Sequence, residues 1–361
     1  MPETALVRDP GGPPPELVKR WAERHGVEVA ERMLQAEGFA DAVREEITPE
    51  NTVKTYAKAL KVWSRFCEQQ GLPDCEPTRG TLVTYAAWLL HSGRQTPGPG
   101  GTLGYAPASA ETHLAATIAM LRRDAECDIT KDEAAEAFKA LKGFTTELVK
   151  AKERRGRGKA EAAEASQIKA AALAVDDTLT GARDRALVLL GFNFASRASE
   201  LAALLRADVT THSRGIKVNV LTGKTVHSVR EVAVPYAKDP AACAARAWLD
   251  WRERLAVETG DRFDAPNDPA FHAIDRWGHV GGAMAPAAVT DAIGRISRRA
   301  GITIRWTGHS LRAGLATEAR RNGSDAITIA AQGGWTPHSR AMQGYMRRGD
   351  EWTDNAAAGL L

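Results

Sequence analysis

Cysteine is scarce and unpaired in this chain: Cys67, Cys75, Cys127 and Cys243 are scattered through 361 residues with no CxxC spacing. That pattern fits neither a disulfide framework nor a zinc site, and a reducing cytoplasm is the expected setting. Long apolar runs are missing too. The stretch ALVLLGFNFA at 186–195 is too short to cross a bilayer, and the opening MPETALVRDPGGPPPE lacks the charged-then-apolar order of a secretory signal. Nor does one sign of charge dominate. The chain carries 48 Lys and Arg against 45 Asp and Glu, a net of +3, so an anionic partner must be met by local clustering.

A nucleotide-binding P-loop is excluded by one position. Gly223-Lys224-Thr225 ends like that motif, but Val218 stands where its first glycine belongs. His272 and His279 fall in a segment that reads as irregular, with no partner set for a metal. No cofactor and no metal are expected.

What remains is material for two compact domains, since 43% of the residues are hydrophobic. Residues 1–47 read as an extension, partly disordered where Pro and Gly crowd the first fifteen positions, with one or two short helices over 16–37. From Asn51, Val53, Tyr56, Leu60, Trp63 and Cys67 recur at helical spacing and predict an amphipathic helix ending near Gly71. Helices over 81–91, from Ser109 onward and over 131–144 complete a helical bundle spanning 48–149.

Residues 150–164 form a basic linker, in which Lys150, Lys152, Arg154, Arg155, Arg157 and Lys159 face the single acid Glu153. Two readings stay open there, a solvated linker or a strap on phosphates.

The second domain, 165–361, predicts helices over 166–174 and 180–194, the latter capped by Thr180. A hairpin follows over 215–235, around Gly223-Lys224-Thr225, where KVNVLTG and VREVAVP have strand-like alternation. Further helices are expected at 240–258, 286–299, 309–321 and 325–332. The fold class is mainly α with a small β-hairpin or sheet, in two domains.

Chemistry concentrates near the C-terminal end. Arg295, Arg298, Arg299, Arg305, Arg312, Arg320 and Arg321 follow closely with only Glu318 to offset them, and the first three join the linker residues as candidate DNA contacts. His309 and Arg312, three apart, share a helix face and can converge on one anion. An Asn322-Gly323 stop, a short helix, the turn Gly333-Gly334-Trp335 and then Tyr345 follow.

Taken together, TGHSLRAG and AAQGGWTPHSRAMQGYMRRGDEW resemble the active-site block of the tyrosine recombinases, the phage-integrase family, and most the Cre-type members, which likewise have Trp where many integrases have His. FASRASELAALLRADV resembles the family's first-arginine motif, with Arg197 in the catalytic position, and Lys224 matches the hairpin lysine. The resemblance covers the catalytic half in order and spacing, and the first half only as a helical core-binding domain.

It implies a site-specific recombinase with Arg197, Lys224, His309, Arg312, Trp335 and Tyr345 as catalytic residues. Arginines stay charged and can pair both non-bridging phosphate oxygens. The tyrosine would form a 3′-phosphotyrosine, Lys224 would protonate the departing 5′ oxygen, and exchange would pass through a Holliday junction. Glu200, one turn from Arg197, is the carboxylate placed to orient it, and His338 rivals Trp335 as phosphate donor. Partners would be double-stranded DNA with an inverted-repeat site, and copies of the chain, two on a site and four in synapsis, with the tail from Asp350 docking on a neighbour. No membrane is involved, and the setting is bacterial or phage-encoded and nucleoid-associated. Two other readings share the residues: a type IB topoisomerase or telomere resolvase, and a catalytically inactive DNA-binding protein.

Overall fold

The computed structural model describes residues 15–98, 101–124, 127–156, 158, 160–222, 228–336 and 338–350. The chain divides into two compact units, 1–158 and 159–361, parted inside the basic segment. It is mainly α, and among the described residues the small antiparallel sheets fall in the second unit.

In the first unit, α1 (Pro15–His25) and α2 (Val27–Ile47) pack on each other and bury only Ala30. The bundle proper is α3 (Glu50–Gln70), α4 (Arg79–His91), α5 (Pro107–Asp124) and α6 (Lys131–Lys150). Gly71 closes α3 in the left-handed conformation at φ 65°, where its amide reaches back to the last turn. Thr78 and Thr130 start α4 and α6 with reciprocal capping boxes. Trp63, Phe66, Tyr85, Leu89, Leu114 and Leu121 fill the core, and the Trp63 indole donates to the Asp74 carbonyl at 2.8 Å.

Helix α6 continues past its expected end near Phe144, so Lys150 is its last residue and pairs with Glu147 at 2.7 Å. Arg155, expected among the phosphate contacts, is committed elsewhere. Its side chain is 8% exposed, pairs with Glu153 at 2.8 Å and donates to the Leu90 carbonyl at the end of α4, an acceptor the helix cannot satisfy. Lys152 and Arg154 are exposed, while Arg157 and Lys159 lie outside the described residues.

The second unit opens with α7 (Ala165–Leu173), α8 (Leu179–Asn193) and α9 (Ala198–Ala203). Thr178, not Thr180, caps α8, because its hydroxyl accepts the Gly181 amide at 3.1 Å. Strands β1 (Val209–His212), β2 (Gly215–Thr222) and β3 (Ser228–Pro235) form an antiparallel sheet in that order, with Val218 opposite both Val209 and Val232. After α10 (Ala244–Thr259), the segment expected to be irregular forms a second hairpin, β4 (His272–Ile274) and β5 (Val280–Ala283). His272 is fully buried there, its Nδ1 at 2.8 Å from the Gly281 carbonyl, and no metal-holding cluster exists among the described residues.

The unit ends with α11 (Pro286–Arg299), α12 (Gly308–Arg321), α13 (Ala326–Gly333) and α14 (Arg340–Asp350). Its core gathers α8, the three-stranded sheet, α10 and α11 around Trp251, Phe194, Phe271 and Leu187. A separate small cluster of Ala316, Ile329, Ala330 and Met342 joins α12, α13 and α14. Among the described residues no helix is long and apolar enough to cross a membrane.

Candidate active site

Beyond α8 the chain bends sharply. Ala195 sits at φ 51°, a conformation unfavourable for a residue with a β-carbon, and the bend delivers Arg197 as the N-cap of α9. Glu200 reaches back one turn. Its Oε2 accepts the Arg197 amide at 2.9 Å while its Oε1 pairs with the Arg197 guanidinium. The carboxylate is buried and the guanidinium is partly exposed, so Glu200 orients an arginine that still faces outward.

Helix α12 abuts this bend. A β-carbon on Gly308 would lie 3.2 Å from the Ala198 nitrogen, so the amino ends of α9 and α12 meet, and Gly191 on α8 is similarly pressed by Leu201 and Leu311. His309 is exposed on the first turn of α12, at the end where the helix dipole favours an anion. Among the described residues its side chain makes no hydrogen bond or ion pair.

Arg312, one turn further, is 4% exposed. Its Nη1 donates to the Ala195 carbonyl at 2.5 Å and to the Gly333 carbonyl at 2.7 Å, while its Nη2 is buried with no hydrogen-bond partner among the described residues. Burial pulls its pKa down to about 10, with Arg197 and Arg230 pressing the same way and Glu200 and Tyr345 opposing. Three guanidiniums crowded around one carboxylate leave positive charge that an anion can answer.

The Gly333-Gly334 turn brings Trp335 onto this arginine. The Arg312 guanidinium carbon is 3.9 Å from the Trp335 ring centroid, and the Tyr345 ring is 6.3 Å further on at 59°. Tyr345 lies half-buried on α14, held through its backbone carbonyl, which accepts the Thr317 hydroxyl at 3.1 Å. His338 is exposed and has no such contact with Arg312.

The structure thus brings Arg197, Glu200, Arg312, Trp335 and Tyr345 together, with His309 at the rim. Lys224 lies outside the described residues. Arg230 on β3 belongs to the cluster and escaped the sequence reading, where it looked like one charge in an alternating strand. The cationic stretch is also less bare than its sequence suggests: Arg295 pairs with buried Asp184, Arg299 with Asp176 at 2.5 Å, and Arg321 with Glu318 at 2.7 Å. Arg298 remains exposed.

A family model described as the phage integrase family matches residues 161–351. An integrase/recombinase XerD homolog of Selenomonas ruminantium is 27% identical over 318 residues, 86% of either chain. Among solved structures, a lambda integrase (75–356) dimer bound to a COC′ core site shows a TM-score of 0.53 at 15% identity, covering 87% of this chain and 94% of that one. A lambda integrase tetramer bound to a Holliday junction shows 0.53 at 15% identity, covering 87% and 76%. At that identity the likeness is one of fold alone. With the family match spanning more than half of the chain, on the unit that holds Arg197, Arg312 and Tyr345, this chain belongs to the phage integrase family, the tyrosine recombinases, which cut and rejoin DNA strands.

Proposed function

We propose that the chain is a site-specific DNA recombinase in which Tyr345 is the nucleophile and Arg197, Arg312 and Trp335 hold the scissile phosphate. The observation that carries this reading is the environment of Arg312: a buried guanidinium with one unpartnered nitrogen, stacked on Trp335 and close enough to Tyr345 to feel its charge. A phosphate oxygen is the acceptor that nitrogen lacks.

The Tyr345 oxygen bonds to phosphorus, the bond from phosphorus to the 5′ oxygen breaks, and a 3′-phosphotyrosine results. Arg197 and Arg312 neutralise the non-bridging oxygens, and the Trp335 indole adds a neutral donor. His309 assists removal of the phenolic proton, and Lys224 supplies one to the leaving oxygen. The bond energy is kept in the covalent intermediate, so resealing needs no nucleotide or metal. Attack by a 5′ hydroxyl from the partner duplex exchanges strands through a Holliday junction.

The partner is double-stranded DNA with an inverted-repeat site, bound by two copies and synapsed by four, in keeping with the dimer and tetramer in which lambda integrase is found. Lys150, Lys152, Arg154 and Arg298, all exposed, are the phosphate contacts we assign, with Arg157 and Lys159 beside them.

The test is covalent trapping on a nicked suicide duplex built from half-sites recovered by binding selection. Wild type should form an adduct at one phosphate, and Tyr345→Phe should bind the duplex and form none. Absence of a wild-type adduct, or its persistence in Tyr345→Phe, overturns the reading. Nicking of any supercoiled plasmid without a preferred site would point to a type IB topoisomerase.

A further inference from the structure

Arg230 has no part in the chemistry above, yet it lies beside it with its side chain only 12% exposed. Its Nη1 donates to the carbonyls of Phe194, at 3.3 Å, and Gln332. Its Nη2 lies 3.9 Å from Glu200 Oε2, and its guanidinium sits 5.9 Å from the Phe194 ring centroid. Gly334 makes room for it, since a β-carbon there would come within 2.7 Å of the Arg230 Nε.

Arg312 repeats the arrangement one residue along. It joins the Ala195 and Gly333 carbonyls as Arg230 joins those of Phe194 and Gln332. Two arginines therefore rung the same pair of backbone segments, one leading into Arg197 and the other into Trp335. The Gln332 side chain adds a third tie, with Nε2 at 2.8 Å from the Asn193 carbonyl and 3.3 Å from that of Ala233 on β3.

A guanidinium is an expensive way to fill space. Burial disfavours its charge, Arg197 repels it, and its Nε has no hydrogen-bond partner among the described residues. An apolar residue of similar volume would serve mere packing as well.

We infer that Arg230 is a positioning residue for strand cleavage: it steadies Glu200, and through it the Arg197 guanidinium, and sets the distance between the Arg197 segment and the Trp335 turn. This rests on phosphoryl transfer to Tyr345 as proposed above. Arg230 touches no reacting atom, so its removal should misplace charge without removing the nucleophile.

The test uses the full chain and the suicide duplex, with the scissile position either an ordinary phosphodiester or a methylphosphonate, which lacks one negative charge. For Arg230→Gln, duplex affinity should stay within about threefold of wild type while adduct formation on the phosphodiester slows by roughly 100- to 1,000-fold, the range for losing a charge-stabilising contact. On the methylphosphonate the deficit should shrink at least about tenfold, because neutralising the phosphate depends less on aligned guanidiniums. Combining Arg230→Gln with Glu200→Gln should cost little more than the worse single change.

An unchanged adduct rate, an equal loss on both substrates, additive defects or a loss of duplex affinity each overturns the inference. If Arg230→Gln does not fold, Arg230→Lys takes its place in the same comparison, since an ammonium keeps the charge but cannot span two carbonyls and a carboxylate. A wild type that forms no adduct fails the recombinase reading itself and takes this inference with it, whereas wild-type activity with an indifferent Arg230 variant fails the inference alone.

Discussion

The Arg312 guanidinium lies over the Trp335 ring, its carbon 3.9 Å from the ring centroid, with its Nη1 held between the Ala195 and Gly333 carbonyls. A cation held this way, with an aromatic ring against it and two carbonyls on one nitrogen, has its direction set before any ligand arrives.

Trp335→Ala should therefore slow adduct formation by roughly tenfold or more, the kinetic equivalent of losing about 1–2 kcal/mol of cation–π interaction. Trp335→His, which keeps a ring and a donor, should lose less. His338→Ala should leave the rate unchanged. Single-turnover trapping of the three variants separates them, and a large loss in His338→Ala with none in Trp335→Ala would reverse the assignment.

Gly333 and Gly344 should answer alanine in opposite ways. A β-carbon at Gly333 would sit 1.9 Å from the Trp335 ring, whereas at Gly344 nothing lies within 4 Å. Gly333→Ala should destabilise the chain by about 1–3 kcal/mol and slow cleavage, by displacing Trp335. Gly344→Ala, in the middle of α14, should stabilise that helix by about 0.5–1 kcal/mol. Urea melts of both variants check the signs.

Acid should weaken the helical unit through His113. It is buried against Tyr105, at 4.6 Å between ring centroids, and burial, with Lys58 and Arg65 adding, pulls its pKa down to about 4. The unfolded chain takes up this proton first, so the stability contribution is complete above about pH 6.5 and is lost as pH falls toward 4. The loss should approach about 3 kcal/mol. In His113→Asn the decline between pH 6.5 and 4 should flatten, as read from urea melts at stepped pH.

The arginines of α11 should divide by their partners. Arg298→Ala should reduce the salt dependence of duplex binding by about one counterion. Arg295→Ala should act on stability instead, because it strips a partner from Asp184, which is 3% exposed and otherwise holds Arg183 at 2.6 Å. Binding titrations across a salt series, with melts in parallel, distinguish the two.

Much of this site was readable in the sequence because its residues sit at the ends of strongly marked elements. The His309 and Arg312 spacing, the Gly333-Gly334 turn and the α11 boundaries follow from helical periodicity and glycine chemistry. Arg230 and Arg155 did not, since a basic residue in a strand or a charged run looks solvated until the carbonyls it serves are placed beside it. The same blindness made the Arg295 to Arg321 stretch look bare: Asp184 and Asp176 are more than a hundred residues away in the chain. The β4–β5 hairpin was missed because its strands are three and four residues long, too short for alternation to register.

Tyr345 rides on the smaller of the two apolar clusters in its unit, whose buried members among the described residues are Ala316, Ile329, Ala330 and Met342. So little buried area means a low free energy of local opening. Amide hydrogens of α14 should exchange with solvent well before those of α8, where Ala186 to Leu190 are sealed in the main core. The proposed nucleophile would then be mounted on a part that opens more readily than the core that carries Arg197.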